Sequence, residues 1–145
     1  MPVPTEVRFY VNLADRQGYA CRMLRKAQSL GSQVVVTGDP QALRALDQAL
    51  WTFSAHDFVP HAVLGAAEPS VLARSPIVLA ASPLEAQQRS LLVNLGGPVP
   101  EGFEQFERLF ELLSDDPADL DEGRVRWKFY KSRGLAVEKH DTQAL

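Results

Sequence analysis

Cysteine is almost missing from this 145-residue chain, which contains only Cys21. A single cysteine excludes an internal disulfide and leaves no cysteine set for a structural zinc site. Long apolar runs are missing too, since no stretch of about 18 apolar residues occurs, and the first residues lack the basic start and apolar core of a signal peptide. We therefore expect a cytoplasmic protein without a membrane segment, in which Cys21 is a small buried hydrophobe.

A large excess of either charge is also missing. The formal net charge is −3 at pH 7, from 15 basic and 18 acidic residues, so no global field draws the protein toward nucleic acid. We expect little direct DNA binding, and any basic site must be local. The composition, 46% hydrophobic and 23% charged, is that of an ordinary globular protein. The length favours one domain over residues 1–145.

The common signatures of nucleotide and metal sites are absent from the sequence. The turn after the first predicted strand, residues 14–18, has no G-x-G-x-x-G pattern, and no G-x-x-x-x-G-K-[ST] occurs anywhere, so no backbone cradle for phosphates is predicted. The histidines, His56, His61 and His140, lack metal-ligand spacing, so we predict no metal and no cofactor. An acid–base pair of His61 and Asp57 is an alternative, although a polar turn explains both residues.

What the chain does contain is an alternation of strand and helix patterns. Residues 6–13 alternate apolar and polar side chains, which predicts a strand, and residues 14–30 carry the apolar stripe of a helix. Residues 33–37 form a short apolar run typical of a strand buried on both faces. Asp39 then fits a helix cap, and Pro40 fits the first helical position. This alternation of strands and helices favours parallel strands that are joined by right-handed helical connections.

The second half continues this pattern. Residues 77–80 and 91–95 are two more buried-type strands, joined by a polar connection. Residues 64–75 are predicted as a surface loop, and residues 138–145 as a frayed or loosely packed tail. The predicted fold is α/β, a single Rossmann-like domain with a mostly parallel central sheet of about five or more strands flanked by helices.

The last predicted helix carries an unusual charge pattern. It starts with a capping carboxylate before Pro117, and its acidic early turns and basic late turns suit the helix dipole, which by itself explains the pattern. However, Arg124, Lys128 and Lys131 lie at i, i+4 and i+7, with Trp127 at the edge of their stripe. Because like charges at these spacings repel by a few tenths of a kcal/mol per pair, an anionic partner explains the stripe better.

A second stretch, LRALDQALWTFSAHDFVPH at residues 43–61, begins as an amphipathic helix and carries three large rings, Trp51, Phe53 and Phe58. These rings either close one end of the core or stand at the surface as anchors for another protein. The segment LDQALW, followed after six residues by FVPH, resembles the signature of the chi subunit of the bacterial DNA polymerase III holoenzyme, a clamp-loader accessory protein. The segment RVRWKFYK in the last helix resembles the same family.

The resemblance implies a non-catalytic, replisome-associated adaptor of the bacterial cytoplasm. Chi subunits bind the acidic, phenylalanine-ending C-terminal tail of single-stranded-DNA-binding protein through a basic and aromatic pocket on the last helix. The positions that match are Arg124, Trp127 and Lys128, and Lys131 continues the stripe. One departure is Leu120, where some members carry a further basic residue, so a lower affinity is expected.

The resemblance also implies a second surface, for the psi subunit of the clamp loader or a helicase that competes for it. By position this surface involves Trp51 and Phe58, with Pro60 and His61 flanking them. For residues 103–113, spacing alone allows one helix, whereas the family implies a short helix followed by a strand. The alternatives to an adaptor are a nucleotide-binding enzyme or module on the same fold, and a general interaction domain with unrelated partners.

Overall fold

The computed structural model describes residues 4–52, 61–64, 75–86 and 88–141. Within them, three α-helices and seven strands form one α/β unit. The helices are α1 (Arg16–Ser29), α2 (Pro40–Thr52) and α3 (Pro117–Ser132). The strands are β1 (Glu6–Leu13), β2 (Val34–Thr37), β3 (Ala62–Val63), β4 (Ile77–Leu79), β5 (Leu91–Asn94), β6 (Arg108–Ser114) and β7 (Val137–Asp141).

All described strand pairs are parallel, and the strand order across the sheet is β3-β4-β2-β5-β6-β1-β7. The prediction of an α/β fold with a mostly parallel sheet is therefore confirmed. Two strands beyond the predicted set lie at the two ends of the order, β3 and β7. The predicted loop at 64–75 falls outside the described residues apart from its two end residues.

The sheet separates two hydrophobic clusters. One contains Tyr10, Leu24, Leu46 and Val93 and is covered by α1 and α2. The other contains Phe9, Leu92, Leu109 and Tyr130 and is covered by α3. Successive residues of a strand point to opposite faces, so the five inner strands, β1, β2, β4, β5 and β6, each supply both clusters. Cys21 is buried on the α1 side, as expected.

The predicted helix starts are confirmed in their hydrogen bonds. The Asp39 carboxylate accepts from the Ala42 backbone N–H at 2.9 Å, and the Asp116 carboxylate accepts from the Ala118 N–H at 3.0 Å. Each of these caps satisfies a backbone donor that has no partner inside its helix. Both helices then place a proline at the first position.

Residues 103–114 follow the arrangement implied by the family. A single 3₁₀ turn at Phe103–Gln105 leads into β6. Phe103 and Phe106 are both buried, and the Thr5 hydroxyl donates to the Phe106 carbonyl at 2.7 Å. The spacing of Phe103, Phe106 and Phe110 allows one helix. Instead, Phe103 lies in the turn, Phe106 directly follows it, and Phe110 lies on β6.

The predicted loose tail was wrong for residues 138–141. These residues belong to β7, which pairs with β1 along the sheet edge. Side chains reinforce the pairing: the Asn12 amide donates to the Asp141 carboxylate at 2.8 Å, and the His140 ring stacks on Tyr10 with centroids 5.3 Å apart. Because most of this edge strand is polar and exposed, it has no hydrophobic pattern to reveal it.

We expect Asp116→Ala to lower the free energy of unfolding by about 1 kcal/mol, because the cap on the first turn of α3 is lost. Urea denaturation measures this change. Asp115→Ala is the matched control: Asp115 is an exposed neighbour that caps nothing in the described structure, and its loss should cost less than about 0.5 kcal/mol. Equal losses in the two variants would contradict the assignment of the cap.

Candidate protein-binding surfaces

Helix α3 brings four of the predicted site residues together on its outer side. Arg124, Lys128 and Lys131 are exposed, and Trp127 is half-buried beside them. We call these four residues the α3 basic face. Because α3 is continuous from Pro117 to Ser132, the i, i+4 and i+7 spacing places the three cations along one side of the helix.

The Trp127 ring packs against the protein on one side and is partly exposed to solvent on the other. Its ring meets the edge of the buried Phe9 ring, with centroids 5.1 Å apart and planes at 65°. The Lys131 ammonium lies 5.6 Å from the Trp127 centroid, within cation–π range. Trp127 is therefore a fixed aromatic surface with a cation beside it, and part of the ring remains open to solvent.

Arg124 is held only weakly. Its side chain is 74% exposed and donates to Asp121 at 3.1 Å, and Asp121 is equally exposed. An exposed ion pair of this kind contributes only about 0–1 kcal/mol. A carboxylate from another molecule can therefore take the place of Asp121 at little cost.

Arg126, by contrast, points into the protein, although it lies between basic-face residues in sequence. It is 1% exposed, and its Nε donates to the fully buried Glu111 carboxylate at 3.0 Å. Its Nη1 donates to the Gly97 carbonyl at 2.6 Å. Arg126 belongs to the basic late turns of the helix in sequence, but its burial removes it from the exposed surface.

Glu111 is the centre of a buried polar network. The Tyr130 hydroxyl donates to Glu111 at 2.6 Å, and the Asn94 amide donates at 3.0 Å. The Asn94 oxygen in turn accepts from the Thr37 hydroxyl at 2.9 Å. The network thus crosses from β2 through β5 and β6 to α3.

Burial raises the pKa of the Glu111 carboxyl, while the charge of Arg126 and the hydrogen bonds from its neighbours oppose the rise. Burial and Glu111 also raise the pKa of the Tyr130 hydroxyl. Tyr130 therefore stays protonated at neutral pH and remains a donor to Glu111. Sequence signals for the network existed: Glu111 is the one charge in the run Leu109–Leu113, and Arg126 lies opposite the exposed stripe.

Trp51 lies on a second surface, at the end of α2. Its side chain is 59% exposed, and it meets the ring of His61 edge-on, with centroids 5.3 Å apart. The His61 side chain is 1% exposed and its Nε2 lies 2.8 Å from the Asp47 carboxylate. His61 therefore packs beneath Trp51 rather than beside it on the surface.

The remaining predicted residues of this surface, Phe58 and Pro60, lie outside the described residues, as does Asp57. The alternative pairing of His61 with Asp57 therefore lies outside the described residues, and within them the His61 ring contacts the Asp47 carboxylate. No cluster of three or more metal-ligating side chains occurs in the described part of the chain. None of its described helices is long and apolar enough to cross a membrane.

The fold and these surfaces define an α/β domain whose prominent features are partly exposed rings set among charged side chains, as in protein-binding modules. The family model of the DNA polymerase III chi subunit, HolC, matches residues 5–138. A DNA polymerase III subunit chi from Pseudomonas aeruginosa is 33% identical over 141 residues, which cover 94% of this chain and 96% of that protein. Another from Haemophilus influenzae is 28% identical over 118 residues, 79% of each chain.

The chain therefore belongs to the family of DNA polymerase III chi subunits, and the resemblance seen in its motifs is confirmed. A chi subunit is an accessory subunit of the polymerase and not its catalytic subunit. The prediction of a non-catalytic protein is thus confirmed by family, and the enzyme alternative on the same fold is set aside.

We expect Arg126→Met to lower the free energy of unfolding by about 3–5 kcal/mol, because Glu111 then stays buried without its counter-charge. Urea denaturation of the variant measures the loss. Lys128→Met, an exposed neighbour on the same helix, should change stability by less than about 0.5 kcal/mol. The double variant Glu111→Leu with Arg126→Met should lose less than Arg126→Met alone. A small loss in Arg126→Met would show that the pair is not needed.

Proposed function

We propose that this chi-family protein is an adaptor of the DNA polymerase III clamp loader that binds the acidic C-terminal tail of single-stranded-DNA-binding protein. The observation that carries the proposal is the α3 basic face, in which three exposed cations lie along one side of the helix beside a half-buried indole. The acidic, phenylalanine-ending tail has the complementary composition: carboxylates for the cations and an apolar ring for Trp127.

Arg124 is the residue best suited to hold a tail carboxylate. Its guanidinium is exposed, and a planar guanidinium can bind a carboxylate through two parallel hydrogen bonds. Lys128 and Lys131 lie on the same side of the helix and add charge over the next two turns. Because the whole chain is acidic, this attraction is local and weakens as salt rises.

Trp127 is suited to hold the terminal aromatic residue of the tail. Its contact with Phe9 fixes the indole before any partner arrives, so little side-chain entropy is lost on binding. Lys139 stands opposite Phe9 in the register of β1 and β7, and therefore lies on the same face of the sheet. Lys139 thus adds an exposed cation on the face of the sheet that α3 covers.

We expect Arg124→Ala to weaken binding of a peptide with the acidic, phenylalanine-terminated tail by about tenfold or more, because a hydrogen bond to a charged group contributes about 1.5–3 kcal/mol. Fluorescence anisotropy of a labelled tail peptide measures the change, and wild-type binding should weaken with salt. Arg44→Ala is the matched control, since Arg44 is an exposed arginine on α2. Unchanged affinity in Arg124→Ala would remove Arg124 from the site.

We propose further that the second surface binds the psi subunit, or a helicase that competes for it, and so links the protein to the clamp loader. Trp51 supports this role because its large ring is 59% exposed and tryptophan is enriched among the hot spots of protein interfaces. His61 supports the Trp51 ring from below and stays in place through its contact with Asp47. In this proposal Trp51 is the anchor, and His61 positions it.

We expect Trp51→Ala to weaken binding to psi by about thirtyfold or more, because truncating a hot-spot aromatic typically costs about 2 kcal/mol or more. Isothermal titration with purified psi measures the affinity. The control is Leu30→Ala, which removes another exposed apolar side chain, 73% exposed at the end of α1. If both variants bind psi as tightly as the wild type does, Trp51 has no part in that interface.

A further inference from the structure

A second basic and aromatic feature lies on the opposite face of the sheet, under α1. It is a cavity of about 430 Å³ between the C-terminal half of α1 and the first residues of β5 and β6. We call it the α1 cavity. Its size is in the range of small-molecule sites, about 300–1,000 Å³. The α3 basic face lies across the sheet from it.

Aromatic rings line the inner wall of the α1 cavity. Tyr10 lies between Tyr19 and Phe110, with centroid distances of 5.7 Å and 5.4 Å. Tyr10 is buried, while Tyr19 and Phe110 are each half-buried and pack against the core. The wall is therefore a connected aromatic surface with part of two rings open to the cavity.

Cations surround this wall. Arg22 and Lys26 come from successive turns of α1, and Arg8 and Arg108 come from neighbouring strands. The described lining contains no acidic side chain. In the described part of the chain, Arg22, Lys26 and Arg108 make no ion pair, so their charge is available to a ligand.

Acidic residues adjoin the cavity in two places: Glu138 and Glu6 lie at its strand side, and Asp15 lies near Arg22 at the start of α1, where both side chains approach Gly18. Arg8 lies 3.5 Å from the exposed Glu138, and its Nη1 donates to the Tyr10 hydroxyl at 3.3 Å. Glu6 stands opposite Arg108 in the strand register but makes no ion pair with it. The positive charge therefore remains in excess at the α1 side of the cavity.

Guanidinium groups also lie against the rings. The Arg22 guanidinium carbon is 5.9 Å from the Tyr19 centroid, and that of Arg8 is 5.5 Å from the Phe110 centroid. Arginine planes and aromatic rings are the surfaces on which nucleobases stack, and the same arginines bind phosphate oxygens. The α1 cavity thus holds stacking surfaces for a base close to donors for a phosphate.

We propose that the α1 cavity binds a nucleoside phosphate, with its base against the Tyr19 and Phe110 wall and its phosphate between Arg22, Lys26 and Arg108. In a chi-family subunit of a DNA polymerase, the expected source is one or two units of single-stranded DNA. A contact with so few phosphates is weak, which agrees with the net charge of −3 and the little direct DNA binding expected of the whole chain.

An acidic peptide fits this cavity less well than a nucleotide does. The strands beneath it, β6 and β1, are both paired on each side, so they offer no free edge to which an extended peptide can add. The donors that remain are side chains, three guanidiniums and one ammonium, which suit phosphate oxygens. The proposal is independent of tail binding on α3.

The test is fluorescence anisotropy of a labelled octathymidylate with the full chain, without single-stranded-DNA-binding protein. Neutralising one or two phosphates gives a slope of about −0.7 to −1.4 for log affinity against log salt, or about two- to fivefold between about 50 and 150 mM salt. Arg22→Ala and Arg108→Ala should each make this slope shallower and weaken binding by about tenfold. Tyr19→Leu should weaken binding by a similar factor with the salt slope unchanged, because it removes stacking only.

Arg44→Ala is the matched control, since it removes an exposed arginine outside the cavity, and Arg124→Ala controls for the α3 basic face. Neither should change the affinity by more than about twofold, within the ±0.5 kcal/mol of ordinary surface substitutions.

Competition by thymidine monophosphate identifies the source: displacement at a similar concentration indicates a free nucleotide, and the absence of displacement indicates a DNA strand. The proposal is overturned if the wild type binds no oligonucleotide, if Arg44→Ala weakens binding as much as Arg22→Ala, or if the acidic tail peptide displaces the oligonucleotide and loses affinity in Arg22→Ala.

Discussion

The contact between Glu111 and Arg126 determines how α3 sits on the sheet. A carboxylate in the middle of a strand is costly to bury unless a partner accompanies it, and here the partner comes from the facing helix. Tyr130, one turn further along α3, donates to the same carboxylate. At Gly123 a side chain would meet Leu113 within 2.6 Å, so the helix also approaches the sheet closely at that end. These contacts together fix the rotation of α3 about its axis.

This rotation of α3 about its axis exposes the cations of the α3 basic face. With Arg126 and Tyr130 turned toward the sheet, Arg124, Lys128 and Lys131 must face outward, because they lie on the other side of the helical repeat. Trp127 falls between the two sides, and so it contacts Phe9 while keeping part of its ring open. One helix thus uses arginine in two ways: Arg126 is buried and paired and holds the helix in position, and Arg124 is exposed on the α3 basic face.

Much of this arrangement was predictable from local patterns, and the rest depends on contacts between distant segments. The strands at β1, β2, β4 and β5 and the starts of α2 and α3 follow from apolar periodicity and capping residues. Strand β7 could not be predicted, because its edge position leaves it polar and its pairing with β1 is a long-range choice. The side-chain partner of Arg126 was missed for the same reason: no local rule joins a helix residue to Glu111 on another element.

The two candidate surfaces differ in how completely the sequence revealed them, and the difference is physical. Cations at helical spacing must share a side of α3, so the composition of its basic face follows once the helix is known. The surface around Trp51 depends instead on whether its ring is covered, which periodicity cannot decide. The structure leaves that ring largely open and supports it with His61, which in turn contacts Asp47 one turn before Trp51 on α2. A protein with a net negative charge thereby presents a cationic surface on one helix and an aromatic one on another, and each is held by a polar contact to a carboxylate beneath it.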